Sequence, residues 1–289
     1  MRRSFNYNLN KKAELQYSKE LFNVSRQINK LIKTYTSKLK KKEKITQKDV
    51  VLLRKALKEY SKKVKVWAGL PVNRLVYNVE RQSLNMWKKH SEEIAALMKK
   101  EVKKEEMKKA LKENVKENVN LITSIPVKAA ERVFDIVQRG IEESKRAEIV
   151  ANEIETIGNT TRARTLLIAR TETSRMVTKM IETRAEAVGI NWFVWHSVHD
   201  RKTRPGHRLL DGVLVKWSDP PSPEKLAGEK RVYGNYLPGG IFNCRCWAAP
   251  LIRMSDVTWP ARVYMGGKIK RMNKKQFLGL TEDKYLFAA

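Results

Sequence analysis

The chain has 289 residues, 42% of them hydrophobic, and a formal net charge of +29. Its length and apolar content are enough to bury a core, which excludes a disordered protein. No stretch approaches the roughly 18 to 20 apolar residues of a membrane helix, and the first residues lack the apolar region of a secretory signal. We therefore expect a soluble protein made in a cytoplasm.

The positive charge is concentrated near the amino terminus. Residues 1–90 hold 24 lysines and arginines against 6 acidic residues, a net charge of +18. Such an excess is tolerable where a polyanion is available, and nucleic acid is the commonest one. Because ribosomal, chromatin and anionic-membrane proteins share this excess, the charge indicates only the chemistry of the partner.

Residues 1–120 are predicted to form a basic helical region. Between residues 11 and 42, apolar residues recur every three or four positions, as on one face of a helix. A second helix is predicted to begin after Thr46, a good N-cap, and to end at the break of residues 69–71. The apolar pattern of residues 75–97 predicts a third.

The middle of the chain is also predicted to be helical. We expect Pro126 to restart a helix, because proline is tolerated in a first turn, where its missing N–H is not needed. Helices near residues 142–156 and 160–188 follow. The second is predicted to close at Gly189, which suits a left-handed cap.

The pattern changes after residue 189. Aromatic and β-branched runs at residues 190–195 and 212–217 predict strands, and many prolines and glycines predict long turns between and after them. Residues 253–289 are basic and weakly patterned, which indicates a tail.

The predicted class is α+β, with mainly helical N-terminal and middle regions followed by a small C-terminal α/β module of short strands and long loops. The predicted regions are 1–120, 121–252 (helices 126–188, strands and loops 190–252) and 253–289.

A set of motifs follows in order between residues 125 and 252. Its members are Ala169-Arg170-Thr171-Glu172-Thr173, Trp195, Asp200, His207, Leu210-Asp211-Gly212 and Asn243-Cys244-Arg245-Cys246. Asp211 and Gly212 suit a turn into a strand. The order and spacing of the set resemble the Mu F-like head morphogenesis domain of minor head proteins in tailed bacteriophages. The resemblance does not extend to residues 1–110.

The resemblance implies a non-enzymatic minor head protein, present in few copies at the portal or in the capsid interior of the virion. It would pass through the host cytoplasm during assembly and act in head morphogenesis, DNA packaging or DNA delivery. The implied partners are a portal or capsid protein and the packaged DNA, with no membrane, small-molecule substrate or cofactor.

The charged residues of the first motif are expected to find partners elsewhere in the fold. Arg170 and Glu172 cannot face each other, because helical residues two apart point to different sides. The expected partners are Asp200 or Asp211 for Arg170, and Arg204 or Arg245 for Glu172. We interpret these residues as ion pairs that fix the strands on the helix, and the alternative is a catalytic arginine–glutamate site.

The two cysteines raise the question of a metal. One intervening residue prevents a normal disulfide between them, which indicates a reduced compartment or a metal. Many members of the family carry a cysteine pair where this chain has Arg204 and His207, and a histidine where it has Ile241 and Phe242. We therefore expect the Cys-x-Cys turn to be a structural clasp without a metal. The candidate zinc ligands are His199, His207, Cys244 and Cys246.

The basic helices are predicted to contact DNA. The expected DNA-binding residues are Lys38, Lys40, Lys41, Lys42, Lys44, Lys62, Lys63, Lys65, Lys88 and Lys89. Because no base-reading motif accompanies them, the contact is expected to be independent of sequence. Docking on an acidic protein surface and a merely solvated face remain as alternatives.

Two enzymatic alternatives remain open at this point. One is a zinc-dependent nuclease built on His196, His199, Asp200 and the cysteines, and the other is a toxin-like transferase using Arg170 and Glu172. The absence of a close cluster of carboxylates in the sequence argues against a two-metal nuclease. A host-derived nucleic-acid packaging or ribosome-associated protein is a third possibility.

Overall fold

The computed structural model describes the backbone of residues 8–91 and 104–281, and the side chains of residues 11–85, 107 and 109–281. The long helices are α1 (Asn8–Leu39), α2 (Gln47–Trp67), α3 (Gly69–Ser91), α4 (Lys104–Glu142), α5 (Ala147–Glu155) and α6 (Ile157–Ala187). The later elements are β1 (Trp192–His196), α7 (Pro205–Leu210), β2 (Val213–Lys216), α8 (Pro223–Leu226), β3 (Trp247–Pro250), a 3-10 helix (Met254–Asp256), β4 (Ala261–Met265), β5 (Lys268–Met272) and α9 (Lys274–Leu278). The predicted α+β class is confirmed.

The described residues divide into two compact units. The helical unit holds residues 12–77 and 113–170. The sheet unit holds residues 171–281 together with the described parts of three helical segments, which are 8–11, 78–91 and 104–112. Within the described ranges, no helix combines the length and apolar character required to cross a membrane. The predicted boundaries at residues 120 and 252 stay predictions.

The helical unit is built on the apolar stripe that the sequence predicts for α1. Leu21, Ile28 and Ile32 on this stripe are almost completely buried. The predicted start of α2 is also confirmed, because both the backbone N–H and the hydroxyl of Thr46 donate to the carboxylate of Asp49, at 3.0 and 2.8 Å. Periodicity and capping therefore locate these helices correctly.

One helix boundary was predicted wrongly. Helix α4 runs from Lys104 to Glu142 with Pro126 inside it, so the proline does not restart a helix. An interior proline costs about 3 kcal/mol through a lost hydrogen bond and a clash with the preceding turn. Ile122 and Ile125, at most 1% exposed, pack their side chains into the core next to this turn. We infer that this burial outweighs the cost of the proline.

The sheet unit carries a five-stranded sheet in the order β3-β1-β2-β4-β5. Strand β1 pairs antiparallel with both β2 and β3, and β4 pairs antiparallel with β5, whereas β2 and β4 run parallel. Trp192, Leu214 and Val263 from three neighbouring strands share a core with Phe277 of α9. The strands β4 and β5 lie in the weakly patterned residues 253–289, where the sequence predicts no strand.

The turn from α6 into the sheet is formed as predicted. Gly189 has a φ of +82°, a left-handed conformation that glycine adopts without a steric penalty. The amide of Ile190 then donates to the carbonyl of Ala185 at 2.8 Å, which satisfies the end of the helix. The chain is thereby directed from α6 into β1.

Helices α7 and α8 approach each other at Gly206. A Cβ atom added to Gly206 would lie 2.2 Å from the carbonyl oxygen of Pro223 and 2.5 Å from its carbonyl carbon. Both of these atoms belong to the backbone, so neither can move aside as a flexible side chain would. Only glycine fits this contact without a shift of α7 against α8.

We expect Gly206→Ala to destabilise the sheet unit by about 1–3 kcal/mol, the usual cost of overpacking a tight contact. Thermal unfolding followed by circular dichroism measures this effect as a lower midpoint temperature. Gly69→Ala is the matched control, because no atom lies within 4 Å of the added Cβ there. Equal midpoints for the two variants would contradict the packing argument.

Candidate functional site

The loop of residues 237–246 is held against α6 by hydrogen bonds to its backbone. The hydroxyl of Thr178 donates to the carbonyl of Pro238 at 2.6 Å, and Nε of Arg175 donates to the carbonyl of Gly240 at 2.9 Å. Residues three apart lie on one face of a helix, so a single face of α6 binds this loop. The contact fixes the backbone that carries both cysteines.

The two cysteines lie at the end of this loop, just before β3. Asn243 precedes them with a φ of +56°, a conformation that asparagine tolerates better than most residues. Both thiols are free and buried. The amide of Gly239 donates to Sγ of Cys244 at 3.3 Å, so the loop also supports one sulfur from its own backbone.

His207 faces both sulfurs from α7. Its Nδ1 lies 3.2 Å from Sγ of Cys246 and 3.4 Å from Sγ of Cys244. The residue is only 2% exposed, and its ring meets the fully buried indole of Trp195 edge-on, with 5.8 Å between ring centroids. The imidazole is therefore fixed in place by packing as well as by polar contacts.

The other nitrogen of this imidazole has its own buried partners. Nε2 of His207 lies 2.9 Å from the hydroxyl of Tyr236, which donates a short hydrogen bond to the carboxylate of Glu224. Since the tyrosine gives its only proton to Glu224, its oxygen must accept from Nε2–H. In a neutral imidazole this assignment leaves the lone pair of Nδ1 directed at the two sulfurs, whereas in an imidazolium Nδ1 donates a proton toward them.

The two thiols differ in acidity. The pKa of Cys244 falls well below its ordinary value, mainly because Cys246 donates a hydrogen bond to its thiolate and further because His207 lies beside it. The same hydrogen bond raises the pKa of Cys246, and burial raises it further. Burial also raises the pKa of Tyr236, with Glu224 as the second cause. The site thus favours at least one thiolate next to an imidazole.

A second polar group lies around residue 200. Arg245 donates to Oδ1 of Asp200 at 2.6 Å, and Thr203 donates to the same oxygen at 3.1 Å. The arginine hydrogen bond lowers the pKa of Asp200 to about 2. This pair links the Cys-x-Cys turn to the segment between β1 and α7.

Asp211 anchors the turn into β2, as the sequence predicts for a turn residue. Its Oδ1 accepts the amide of Ser197 at 2.7 Å, and its Oδ2 lies 2.9 Å from Nε2 of His199. Gly212 has a φ of +72°, which suits glycine. His199 is mostly exposed, so its contact with Asp211 is a surface interaction.

Arg170 and Glu172 of the first motif each contact a helical residue that the sequence did not predict as a partner. Arg170 contacts Glu14 at 3.4 Å within the helical unit. Glu172 is 4% exposed and pairs with Arg175 of the same helix at 3.4 Å. Of the four expected partners, Asp200 and Asp211 bind Arg245 and His199, while Arg204 stacks on the ring of Phe242 with 4.7 Å between its Cζ and the centroid.

The candidate metal ligands separate into two groups. Among the described residues, the histidine, cysteine and acidic side chains close enough to share a metal ion are His207, Cys244 and Cys246, whose donor atoms lie within 4.8 Å of one another. His199 is not part of this cluster. His196 stacks on Trp247 with 5.3 Å between ring centroids, and burial lowers its pKa, which favours the neutral imidazole.

The predicted DNA-binding lysines occupy two places on the helical unit. Lys38, Lys40, Lys41, Lys42 and Lys44 are exposed around the connection of α1 to α2, and we call them the loop lysines. Lys62, Lys63 and Lys65 are exposed near the end of α2, and we call them the helix lysines. Lys88 and Lys89 belong to α3, but their side chains lie outside the described residues.

Three of these lysines already have acidic partners. Lys40 pairs with Glu155 at 3.0 Å, Lys62 pairs with Glu59 at 2.8 Å, and Lys42 makes a short contact with Asp49. In the described part of the chain, no ion pair within 4 Å engages Lys38, Lys41, Lys44, Lys63 or Lys65. These five offer the more available charge.

Two residues that define the site were not identified from the sequence. Glu224 and Tyr236 contact each other across a loop rich in proline and glycine, where no period or motif marks them. A single signal was present, because Pro223 follows Ser222 in a manner typical of a helix start and so places Glu224 in a first turn. Its burial, with the side chain 0% exposed, follows only from the contact of α8 with α7.

Arg245→Gln should raise the pKa of Asp200 from about 2 toward its ordinary value, because it removes the strongest hydrogen bond to that carboxylate. Carboxyl carbon shifts in an NMR titration measure the change. The folded-state pKa of Asp200 is depressed, so the stability that this pair contributes is present above about pH 4 and is lost as the pH falls toward 2. Arg271→Gln, which removes the same charge from exposed β5, is the control. An unchanged Asp200 titration in Arg245→Gln would contradict the assignment.

The comparisons with known proteins concern this same part of the chain. Residues 131–249 match the model of the family described as Phage Mu protein F like protein. An uncharacterized protein of Haemophilus influenzae is 28% identical over 132 residues, which are 46% of this chain, and the chain spans only 27% of the length of that relative. No solved structure matches the chain. The matched range contains every motif residue from Arg170 to Cys246. The predicted resemblance is therefore confirmed: residues 131–249 are similar to the family described as Phage Mu protein F like protein.

Proposed function

We propose that the chain is a minor head protein of a tailed bacteriophage that acts in head morphogenesis. The observation that carries this proposal is the family match over residues 131–249, which covers strands β1 and β2, most of β3 and the loop bearing the cysteines. The relative from Haemophilus influenzae is described only as an uncharacterized protein, so it indicates no activity. The proposal therefore rests on the family domain and on the charge of the remaining chain.

The proposed partners are a portal or capsid protein and the packaged DNA, with the chain in the capsid interior after a period in the host cytoplasm. A role in DNA packaging or delivery belongs to the same proposal. Support comes from the net charge of +18 in residues 1–90, since a charge of about 2–8 is enough to keep a small domain soluble. A polyanion nearby would relieve the mutual repulsion of these charges.

The positions of the lysines suit contact with phosphates along a duplex. The loop lysines and the helix lysines are separated by most of α2, about 22 Å from Gln47 to Lys62 at 1.5 Å per residue. That length corresponds to six or seven base pairs at about 3.4 Å each. Two groups at this spacing can bind phosphates without reading bases, and so the proposed contact is independent of DNA sequence.

We propose no catalytic activity and no small-molecule substrate. A two-metal nuclease needs carboxylates that hold both ions, and the described residues bring only His207, Cys244 and Cys246 together as potential ligands. Glu172, required by the transferase alternative, is buried against Arg175. Both observations favour a structural role.

If the basic helices bind DNA, replacing the five less engaged lysines, Lys38, Lys41, Lys44, Lys63 and Lys65, by glutamine should weaken binding at every DNA sequence. Each lost phosphate contact lowers the slope of log affinity against log salt by about 1, so the full set should lower it by up to about 5. Fluorescence anisotropy with a nonspecific duplex between roughly 50 and 200 mM salt measures this slope.

The matched control removes charge from a different surface. Lys268, Lys270 and Lys274 are exposed in the sheet unit, and their replacement by glutamine should change the salt dependence less than replacement of Lys38, Lys41 and Lys44 does. Equal losses in these two triple variants would show that only total charge matters. No binding by the wild-type chain at roughly 50 mM salt would remove DNA from the proposal.

The proposed location predicts that the chain is a component of purified, DNA-filled heads. Mass spectrometry of virions of the phage that encodes it should detect the chain, and protease added to intact particles should leave it uncut until the heads are opened. An exposed capsid protein of the same particles provides the control for protease activity. A chain that is absent from virions, or digested in closed heads, contradicts the proposal.

A further inference from the structure

Three buried donor atoms converge between α7 and the loop of residues 237–246, and the proposed head function does not use them. Departing from the sequence-based expectation of a clasp without a metal, we propose that Nδ1 of His207 and the Sγ atoms of Cys244 and Cys246 bind one zinc ion. Imidazole nitrogen and thiolate sulfur are the ligands that zinc prefers in proteins. The inference does not depend on the proposed role in phage heads.

The distances fit tetrahedral zinc. Bonds of about 2.05 Å to nitrogen and 2.3 Å to sulfur at a tetrahedral angle separate the two ligand atoms by about 3.5 Å. The separations from Nδ1 of His207 are 3.4 Å to Cys244 and 3.2 Å to Cys246. All three donor atoms lie within 4.8 Å of one another. The two nitrogen–sulfur separations therefore lie within a few tenths of an ångström of the value of about 3.5 Å expected in a tetrahedral zinc site.

Hydrogen bonding satisfies this cluster less completely than a metal does. Nδ1 of His207 carries one lone pair or one proton, whereas two sulfurs approach it at similar distances. A proton on Nδ1 can form a well-aligned hydrogen bond with only one of the two sulfurs at a time. A zinc ion at the centre of the three atoms would engage all of them at once.

The surrounding contacts position the ligands as in zinc sites with an ordered outer shell. The hydrogen bonds from Nε2 of His207 to Tyr236 and on to Glu224 hold a proton on Nε2, so Nδ1 is the nitrogen that can coordinate a metal. A carboxylate behind a histidine is a common partner of zinc-bound imidazole. The amide of Gly239 donates to Sγ of Cys244.

Spacing along the chain explains how two nearby cysteines reach one ion. In extended backbone, side chains two positions apart point to the same side. Cys244 and Cys246 lead directly into β3, and their thiols both face His207, whereas Arg245 between them binds Asp200. Cys-x-Cys is thus suited to supply two ligands here.

The fourth position opens on a small cleft beside the sulfurs. Its lining includes Lys202, Asn243 and Arg245. Zinc with two thiolates and a neutral imidazole carries no net charge, so a water molecule from this cleft completes the tetrahedron without a further acidic side chain.

The first test uses the full-length wild-type chain purified under reducing conditions. Elemental analysis by mass spectrometry should find one zinc per chain, and zinc-depleted protein titrated with Co²⁺ should show visible bands of tetrahedral cobalt with thiolate-to-metal charge-transfer bands in the near ultraviolet. Reconstituted wild-type protein that binds no zinc and gives no charge-transfer band overturns the proposal. Occupancy by iron or copper in place of zinc also overturns it.

Variants identify the ligands. Cys246→Ser should lose the stoichiometric zinc, whereas His199→Ala, a change at an exposed histidine outside the cluster, should keep it. Tyr236→Phe retains all three ligands but removes the hydroxyl that orients His207, so its zinc affinity should fall by about 10- to 100-fold in a competition with a chelating dye. Full zinc content in folded Cys246→Ser, checked by circular dichroism, contradicts the ligand assignment. Tyr236→Phe and the wild-type chain keep the test decisive if the cysteine variant fails to fold.

Discussion

A buried imidazole needs partners on both of its nitrogen atoms. In the sheet unit, helices α7 and α8 and the loop of residues 237–246 supply these partners to His207. Burying an unpaired polar group costs about 1–3 kcal/mol, which is a large part of the stability of a small unit. Tyr236 and Glu224 serve one nitrogen, and the two cysteines face the other. The ring of His207 thus contacts both α8 and the loop of residues 237–246, in addition to the direct contact of α7 with α8 at Gly206.

Two further contacts hold the partners of His207 in place. They are the close contact of α7 with α8 at Gly206 and the hydrogen bonds from α6 to the loop of residues 237–246. Gly206 lets α7 approach the backbone of Pro223, which brings His207 toward Glu224. Thr178 and Arg175 hold the loop from the other side. The motifs at residues 169–173 and 243–246 are thus packed together. Helix α6 binds the backbone of the loop, and the loop carries the two thiols. The basic surface of the helical unit shares no residue with this cluster. It consists of exposed lysines over an apolar core.

The sequence predicted those parts of the fold that depend on local chemistry. The stripe of α1, the cap at Thr46 and the left-handed turn at Gly189 each follow from properties of a few neighbouring residues. Pro126 was misjudged because the burial of the neighbouring Ile122 and Ile125, which depends on tertiary packing, overrides the local preference of the proline. At the candidate site, His207 and the cysteines were identifiable from residue type and spacing, but Tyr236 and Glu224 were not, because only tertiary packing brings them to the imidazole.

Strand β5 was not predicted because it is mostly exposed. Its lysines and arginines hide the alternation of apolar and polar residues that a half-buried strand shows.

The parallel pairing of β2 with β4 has a consequence for where the domain ends. The family match stops at residue 249, and β4 begins at Ala261. A fragment cut at the end of the match would leave the inner strand β2 with an open hydrogen-bonding edge and would uncover Trp192 and Leu214, which share a core with β4 and α9. Such an edge is a template for pairing with other chains. The smallest self-contained piece of this sheet therefore extends through α9, well past the segment that sequence similarity defines.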